Sequence, residues 1–176
     1  SNSQITSCDT GAISLQNIDN VELLNSDLSY NNGFGLNAEE VNKLNISGSI
    51  FSYNYGAGRG MIAKDCDSVF IHNSIFEGNE GYSESGGLIS DYSDYIELTS
   101  SQFLNNKGNR TGGAFIYNGS MLMDNCLFKN NWALHANGEA GGLDREWPSS
   151  GGFSIIKNSQ FIGNQGGKAG GAYLAA

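Results

Sequence analysis

The side chains best suited to binding or catalysis gather between residues 132 and 150. Trp132 and Trp147 are the only two tryptophans and Pro148 is the single proline. Asp144, Arg145 and Glu146 form a run of charges, with His135 and Glu139 nearby. An exposed indole beside a guanidinium and carboxylates can stack on a sugar or anchor a protein partner. The competing reading of Trp132 and Trp147 is that they pack this segment against the rest of the chain. Elsewhere, Asp91, Asp94 and Glu97 form an acidic run that reads as a solvated turn, and His72 reads as a solvated strand residue rather than a base. Neither a convergent pair of acids for glycoside hydrolysis nor an acidic cluster for a metal stands out. The expectation is no catalytic residue, no metal and no cofactor. Trp132, His135, Asp144, Arg145, Glu146 and Trp147 are the candidate binding residues.

Two other residue types carry possible chemistry. Cys8, Cys66 and Cys126 are odd in number, which argues against a disulfide framework, and Cys126 stands where other repeats have Ser, as a buried free thiol would. Sequons begin at Asn45, Asn109 and Asn118 and would accept glycans in a eukaryotic secreted protein.

A formal net charge of −9 with only 9 basic residues leaves no cationic surface to neutralise a phosphate backbone, so nucleic acid is not the expected partner. No apolar run reaches the roughly 18 residues of a membrane helix, so this segment is not expected to insert directly into a membrane. With 25 glycines, one proline and many Asn and Ser, the composition suits short strands joined by tight turns.

What must position these residues is a repeat. A large apolar residue followed three positions later by Asn occurs six times: Leu28 and Asn31, Phe51 and Asn54, Phe76 and Asn79, Phe103 and Asn106, Phe128 and Asn131, Phe161 and Asn164. These anchors are 23, 25, 27, 25 and 33 residues apart, a solenoid period. The positions seven and five before each anchor are apolar from Val21 and Leu23 to Met121 and Met123; the last coil keeps Ile156 but has Ser154. The position two before is small: Ser26, Ser49, Ser74, Ser101, Cys126, Ser159. This is strand alternation with a break or bulge just before the anchor. Glycines at 35, 60, 87, 113, 142 and 171 form a second punctuation, and the stretch from Gly to anchor is nearly constant while anchor to Gly varies.

Stacked coils explain these types. Equivalent positions would lie about 4.8 Å apart, paired through parallel backbone hydrogen bonds, so that Phe meets Phe and Asn meets Asn. Helical repeats are excluded by the recurring glycines, and the leucine-rich pattern is absent. An antiparallel sandwich gives no reason for one register to repeat. The expected fold is an all-β, right-handed, single-stranded parallel β-helix of six to seven coils of about 25 residues. It spans residues 1–176 as one segment, with a loop insertion at 132–150.

Phe103-Leu104-Asn105-Asn106 with Gly112-Gly113-Ala114-Phe115, and Phe161-Ile162-Gly163-Asn164 with Gly170-Gly171-Ala172-Tyr173, resemble the repeats of the chlamydial polymorphic outer-membrane proteins. The resemblance covers almost the whole chain. It implies a parallel β-helix passenger, placement at the cell surface or outside the cell, and an adhesin-like role. Other right-handed β-helices are polysaccharide lyases or hydrolases, so a carbohydrate-active protein is the alternative. The leading expectation is a non-catalytic, rigid stalk whose variable loops contact a protein or a glycan, or neighbouring subunits of a larger assembly. The absence of a polar capping element at either end further suggests a segment of a longer solenoid, or one covered by a neighbour.

Overall fold

In the computed structural model, residues 3–56, 59–82, 84–148 and 152–175 are described. The strands pair in parallel and in register with the next coil. The anchor strands form a seven-stranded sheet, one strand per coil, with Phe51 opposite Phe76, Phe103 opposite Phe76 and Phe128, and Phe161 opposite Phe128. Short strands just beyond the anchors, such as Glu80–Gly81 and Lys107–Gly108, make a four-stranded sheet. The rest of each coil belongs to an eleven-stranded sheet. Its two long members, Ile13–Leu24 and Leu36–Ser47, run continuously. From the third coil the same path divides, first into Met61–Lys64 and Ser68–His72.

The inward columns are those the spacing predicts. Leu44, Val69, Ile96 and Met121 form one, Ile46, Ile71, Leu98 and Met123 the next, all buried. Phe51, Phe76, Phe103 and Phe128 are fully buried and stack with ring centroids 4.8, 4.8 and 4.5 Å apart, nearly parallel. Phe161 continues the stack at 5.1 Å. Each fully buried ring contributes roughly 1.5–3 kcal/mol from burial alone.

Beside the rings runs a complete amide ladder. Each Asn of the column donates from Nδ2 to the Oδ1 of the Asn in the next coil, at 2.9–3.0 Å from Asn31 to Asn164. The backbone N–H of the same Asn donates to that oxygen as well, as in Asn79 to Asn106 at 3.0 Å. The second Nδ2 hydrogen goes back to the anchor carbonyl of the preceding coil, as in Asn106 to Phe76 O at 2.9 Å. The buried amide groups of the inner Asn residues are thereby satisfied. Cys8, whose N–H donates to Asn31 Oδ1, stands at the foot of the ladder.

The glycine column is set by crowding. A Cβ on Gly87 would lie 2.2 Å from the carbonyl oxygen of Gly113, and one on Gly60 would lie 2.5 Å from Gly87 O and 2.9 Å from the Phe76 ring. Only a residue without a side chain lets the corners nest.

The break before the anchor is a left-handed residue in every coil: Asn25, Gly48, Asn73, Ser100, Asn125, Asn158. The small residue that follows folds its hydroxyl or thiol back to the carbonyl two positions earlier, as in Ser74 to His72 O and Ser101 to Thr99 O, both 2.9 Å. A second left-handed column, Tyr30, Tyr53, Gly78, Asn105, Asn130 and Gly163, follows each anchor, and a third holds Asn17, Glu40, Asp65, Tyr92, Asn118 and Trp147. Left-handed residues in register turn every coil at the same three places, which keeps the coils superimposable.

The segment 132–150 is not one loop insertion. Trp132–Ala133 pairs with Lys107–Gly108, and Leu143–Glu146 pairs with Ala114–Tyr117, so both belong to the coil. The extra length lies between and after these strands; residues 149 and 150 fall outside the described residues. The Gly-Gly corner at 141–142 must nest on 112–113, and this draws Leu143–Glu146 into register.

Candidate functional site

Aligning each strand on its corner glycine fixes which side chains point out. One column after the glycines, Leu36, Met61, Leu88, Ala114 and Leu143, is buried in the core. The next position faces out: Ile62, Ile89, Phe115, Asp144, Tyr173. The one after turns inward again: Ala38, Ala63, Ser90, Ile116, Arg145.

Arg145 is therefore an inward residue, 1% exposed, and cannot offer its guanidinium to a partner as the sequence reading expected. Nε donates to Ser154 Oγ at 3.1 Å, Nη1 to the Glu146 carbonyl at 2.8 Å, and Nη2 to the Gly119 carbonyl. This accounts for Ser154 at a position where earlier coils carry an apolar residue, because a hydroxyl there supplies the buried guanidinium with an acceptor. Burial pulls the Arg145 pKa down.

Asp144 points outward yet is fully buried beneath the preceding coil's loop, and it too is withdrawn from direct contact. It accepts from Arg110 Nε at 3.0 Å and from Thr111 Oγ1 at 3.2 Å, while its Oδ1 is buried without a protein donor among the described residues. Arg110 lies over the Phe115 ring at 4.3 Å and reaches Glu146 with Nη2. Burial pushes the Asp144 carboxyl up to about 6; Arg110 pulls it down and Glu146 pushes it up again. For Arg110, burial opposes the charge, but Glu146 and Asp144 outweigh it and its pKa rises.

The sign of the resulting pH dependence follows directly. Between the ordinary value of 3.8 and about 6, folded Asp144 holds a proton that the unfolded chain has released. Stability from this group therefore falls as pH rises through that window, by about 2–3 kcal/mol in all. Urea unfolding should show Asp144→Asn gaining that much on the parent chain between pH 4 and 7. An offset independent of pH would contradict the assignment.

Arg110 and Glu146 also form part of an open cleft of about 450 Å³ with Asn109, His135, Asn137, Gly138 and Glu139. Glu139 is paired with Lys168, whose ammonium sits 4.7 Å from the Tyr173 ring. A second groove, of about 270 Å³, is lined by Trp132, Leu134, His135 and Gln165 among others, and His135 borders both. Trp132 and Trp147 are 45% and 61% exposed, so neither is buried in packing the segment down. The structure thus brings together His135, Glu146 and, along the second groove, Trp132. It sets Trp147 next to Glu146 and places Asp144 and Arg145 beneath the surface. Sequence reading missed Arg110, which is 34 residues upstream of Asp144 and meets it only through the stacking of coils.

On the other outward face, His72 bonds Thr99 Oγ1 through Nδ1 and stacks on Phe70, beside Tyr95, so it is half-buried rather than free in solvent. Tyr95 donates to Glu97 Oε2 at 2.8 Å, and burial with that bond pushes its pKa up to about 12. Asn45 and Asn118 are half-buried, and Asn109, also half-buried, donates from Nδ2 to Tyr82 O. All three cysteines are free, with Cys66 and Cys126 buried. Among the described residues, no three His, Cys, Asp or Glu side chains converge as a metal site, and no helix is long and apolar enough to cross a membrane.

No curated protein and no solved structure matches the chain. A family model described as a right handed beta helix region matches residues 1–165. The parallel, in-register coils and that match agree: the chain belongs to the right-handed β-helix family.

Proposed function

We propose that the chain is a non-catalytic, extracellular scaffold that holds a loop-built contact surface for a protein or glycan. The observation that carries this reading is the pair of grooves meeting at His135, one lined by the exposed Trp132 and the other by Glu146, which the exposed Trp147 follows in the chain. Binding side chains concentrate on loops of a rigid frame, and exposed aromatic residues supply contact area at low entropic cost. The resemblance to polymorphic outer-membrane protein repeats supports a cell-surface setting. A carbohydrate-active protein is the second reading, favoured by the Glu146 carboxylate, which lines the cleft with His135 and is paired with Arg110.

A glycan and protein array, followed by an assay for released products, separates the two. Binding is expected to weaken about tenfold or more on replacing Trp132 and His135 together by Ala, with an unchanged far-UV spectrum. No product is expected from any bound glycan. Turnover abolished by Glu146→Gln would establish the second reading, and a ligand bound equally by parent and double variant would remove this surface from the account.

A further inference from the structure

Six of the eight tyrosines form three pairs, each bridging adjacent coils on the outer surface. Tyr30 and Tyr53 stack at 5.2 Å with rings 16° apart, Tyr55 and Tyr82 meet edge to face at 5.5 Å, and Tyr92 and Tyr117 do so at 5.1 Å. Tyr30, Tyr53, Tyr55, Tyr82 and Tyr92 are each between 47% and 61% exposed.

Burial does not explain this arrangement, and neither does backbone preference. Tyr30, Tyr53 and Tyr92 have φ of 60°, 53° and 53°; Gly78, Asn105, Asn130 and Gly163 hold the later rungs of the column of Tyr30 and Tyr53, and Asn17 and Asn118 hold rungs of the column of Tyr92. A bulky residue there is strained by roughly 1 kcal/mol or more. The rung above Tyr53 is Gly78, where a Cβ would fall 2.6 Å from Tyr53 Cε1, so the first pair is a closed unit.

We propose that the three pairs are sites of oxidative tyrosine–tyrosine coupling, joining neighbouring coils through a carbon–carbon bond. The oxidant is hydrogen peroxide acting through a haem peroxidase. Each phenol loses one electron and one proton to become a phenoxyl radical. The two radicals join at ring carbons ortho to oxygen, and the ortho hydrogens shift to restore both hydroxyls. The two hydrogens removed from the phenols combine with the two hydrogens and two oxygens of the peroxide to leave as two waters, so the peroxide is reduced as the phenols are oxidised. The coil spacing holds the partners together beforehand, which favours coupling within a chain over coupling between chains. This chemistry is independent of what the grooves near His135 bind.

The test treats dilute folded protein with a haem peroxidase and hydrogen peroxide, then measures intact mass and maps cross-linked peptides. The expected product is a monomer lighter by two hydrogens per link, with links Tyr30–Tyr53, Tyr55–Tyr82 and Tyr92–Tyr117, and a melting temperature raised by several degrees. Tyr30→Phe should remove the first link alone and leave the far-UV spectrum unchanged. An unmodified monomer, links only between molecules, or the same scrambled links from urea-unfolded chain would overturn the proposal.

Discussion

Replacing Asn106 by Ala is expected to lower stability by about 3–6 kcal/mol, enough to unfold a domain of ordinary stability. The change leaves the Asn79 N–H and one Asn79 Nδ2 hydrogen without their acceptor, and removes the donor to Phe76 O. These groups lie within the stack, where Asn79 and Asn106 are fully buried and shielded from bulk solvent. Each stranded group costs about 1–3 kcal/mol. Asn31→Ala is the comparison: it takes the acceptor from one N–H, that of half-buried Cys8, and a 3.5 Å donor from Ile5 O, and the Nδ2 donor it removes from Asn54 Oδ1 leaves that oxygen the Asn31 N–H, so about 1 kcal/mol is expected. Urea titrations of both variants followed by circular dichroism would measure the difference; equal losses would mean that the ladder is not acting as a buried network.

Phe103→Ala should cost about 3–5 kcal/mol, because a fully buried ring is lost and the coils, pinned by hydrogen bonds on both sides, close poorly on the cavity. Its ring contacts both Phe76 and Phe128 at stacking distance, whereas Phe161 has one described stacking partner and remains partly exposed. Phe161→Ala is therefore expected to cost about half as much. Leu28 already fills the same column while buried, so Phe103→Leu should recover most of the loss. Thermal unfolding of the three variants gives the order; Phe103→Ala no worse than Phe161→Ala would show that the column is not continuous.

Much of the fold was legible because a parallel stack places each residue against its own equivalent. Phe at the anchor, Asn three places on and Gly at the corner each face a constant environment in every coil, and constant environments leave repeating types. The left-handed columns were legible only as a break before the anchor, since Asn25, Gly48, Asn73 and Ser100 share a backbone conformation rather than a side-chain class. The inward position of Arg145 could have been read: it stands three after Gly142, where Ala38, Ala63 and Ile116 stand after their own corner glycines. The unusual length of that coil drew it into a supposed loop. The ion pair of Arg110 with Asp144 had no local signal, because loop length between coils varies and spacing alone cannot say which loop covers which strand. The candidate site was thus half legible, with the exposed Trp132, His135 and Trp147 visible as types and the supporting layer beneath them not.

The most direct test of parallel, in-register stacking is nuclear Overhauser spectroscopy on protein labelled at Phe and Asn. Stacking of like residues predicts ring contacts from Phe76 to Phe103 and from Phe103 to Phe128, with slowly exchanging side-chain amide protons on Asn79 and Asn106 in contact with the next Asn of the column. Rings without mutual contacts, or cross-strand contacts of the antiparallel kind between Tyr95–Thr99 and Ser120–Asp124, would contradict it.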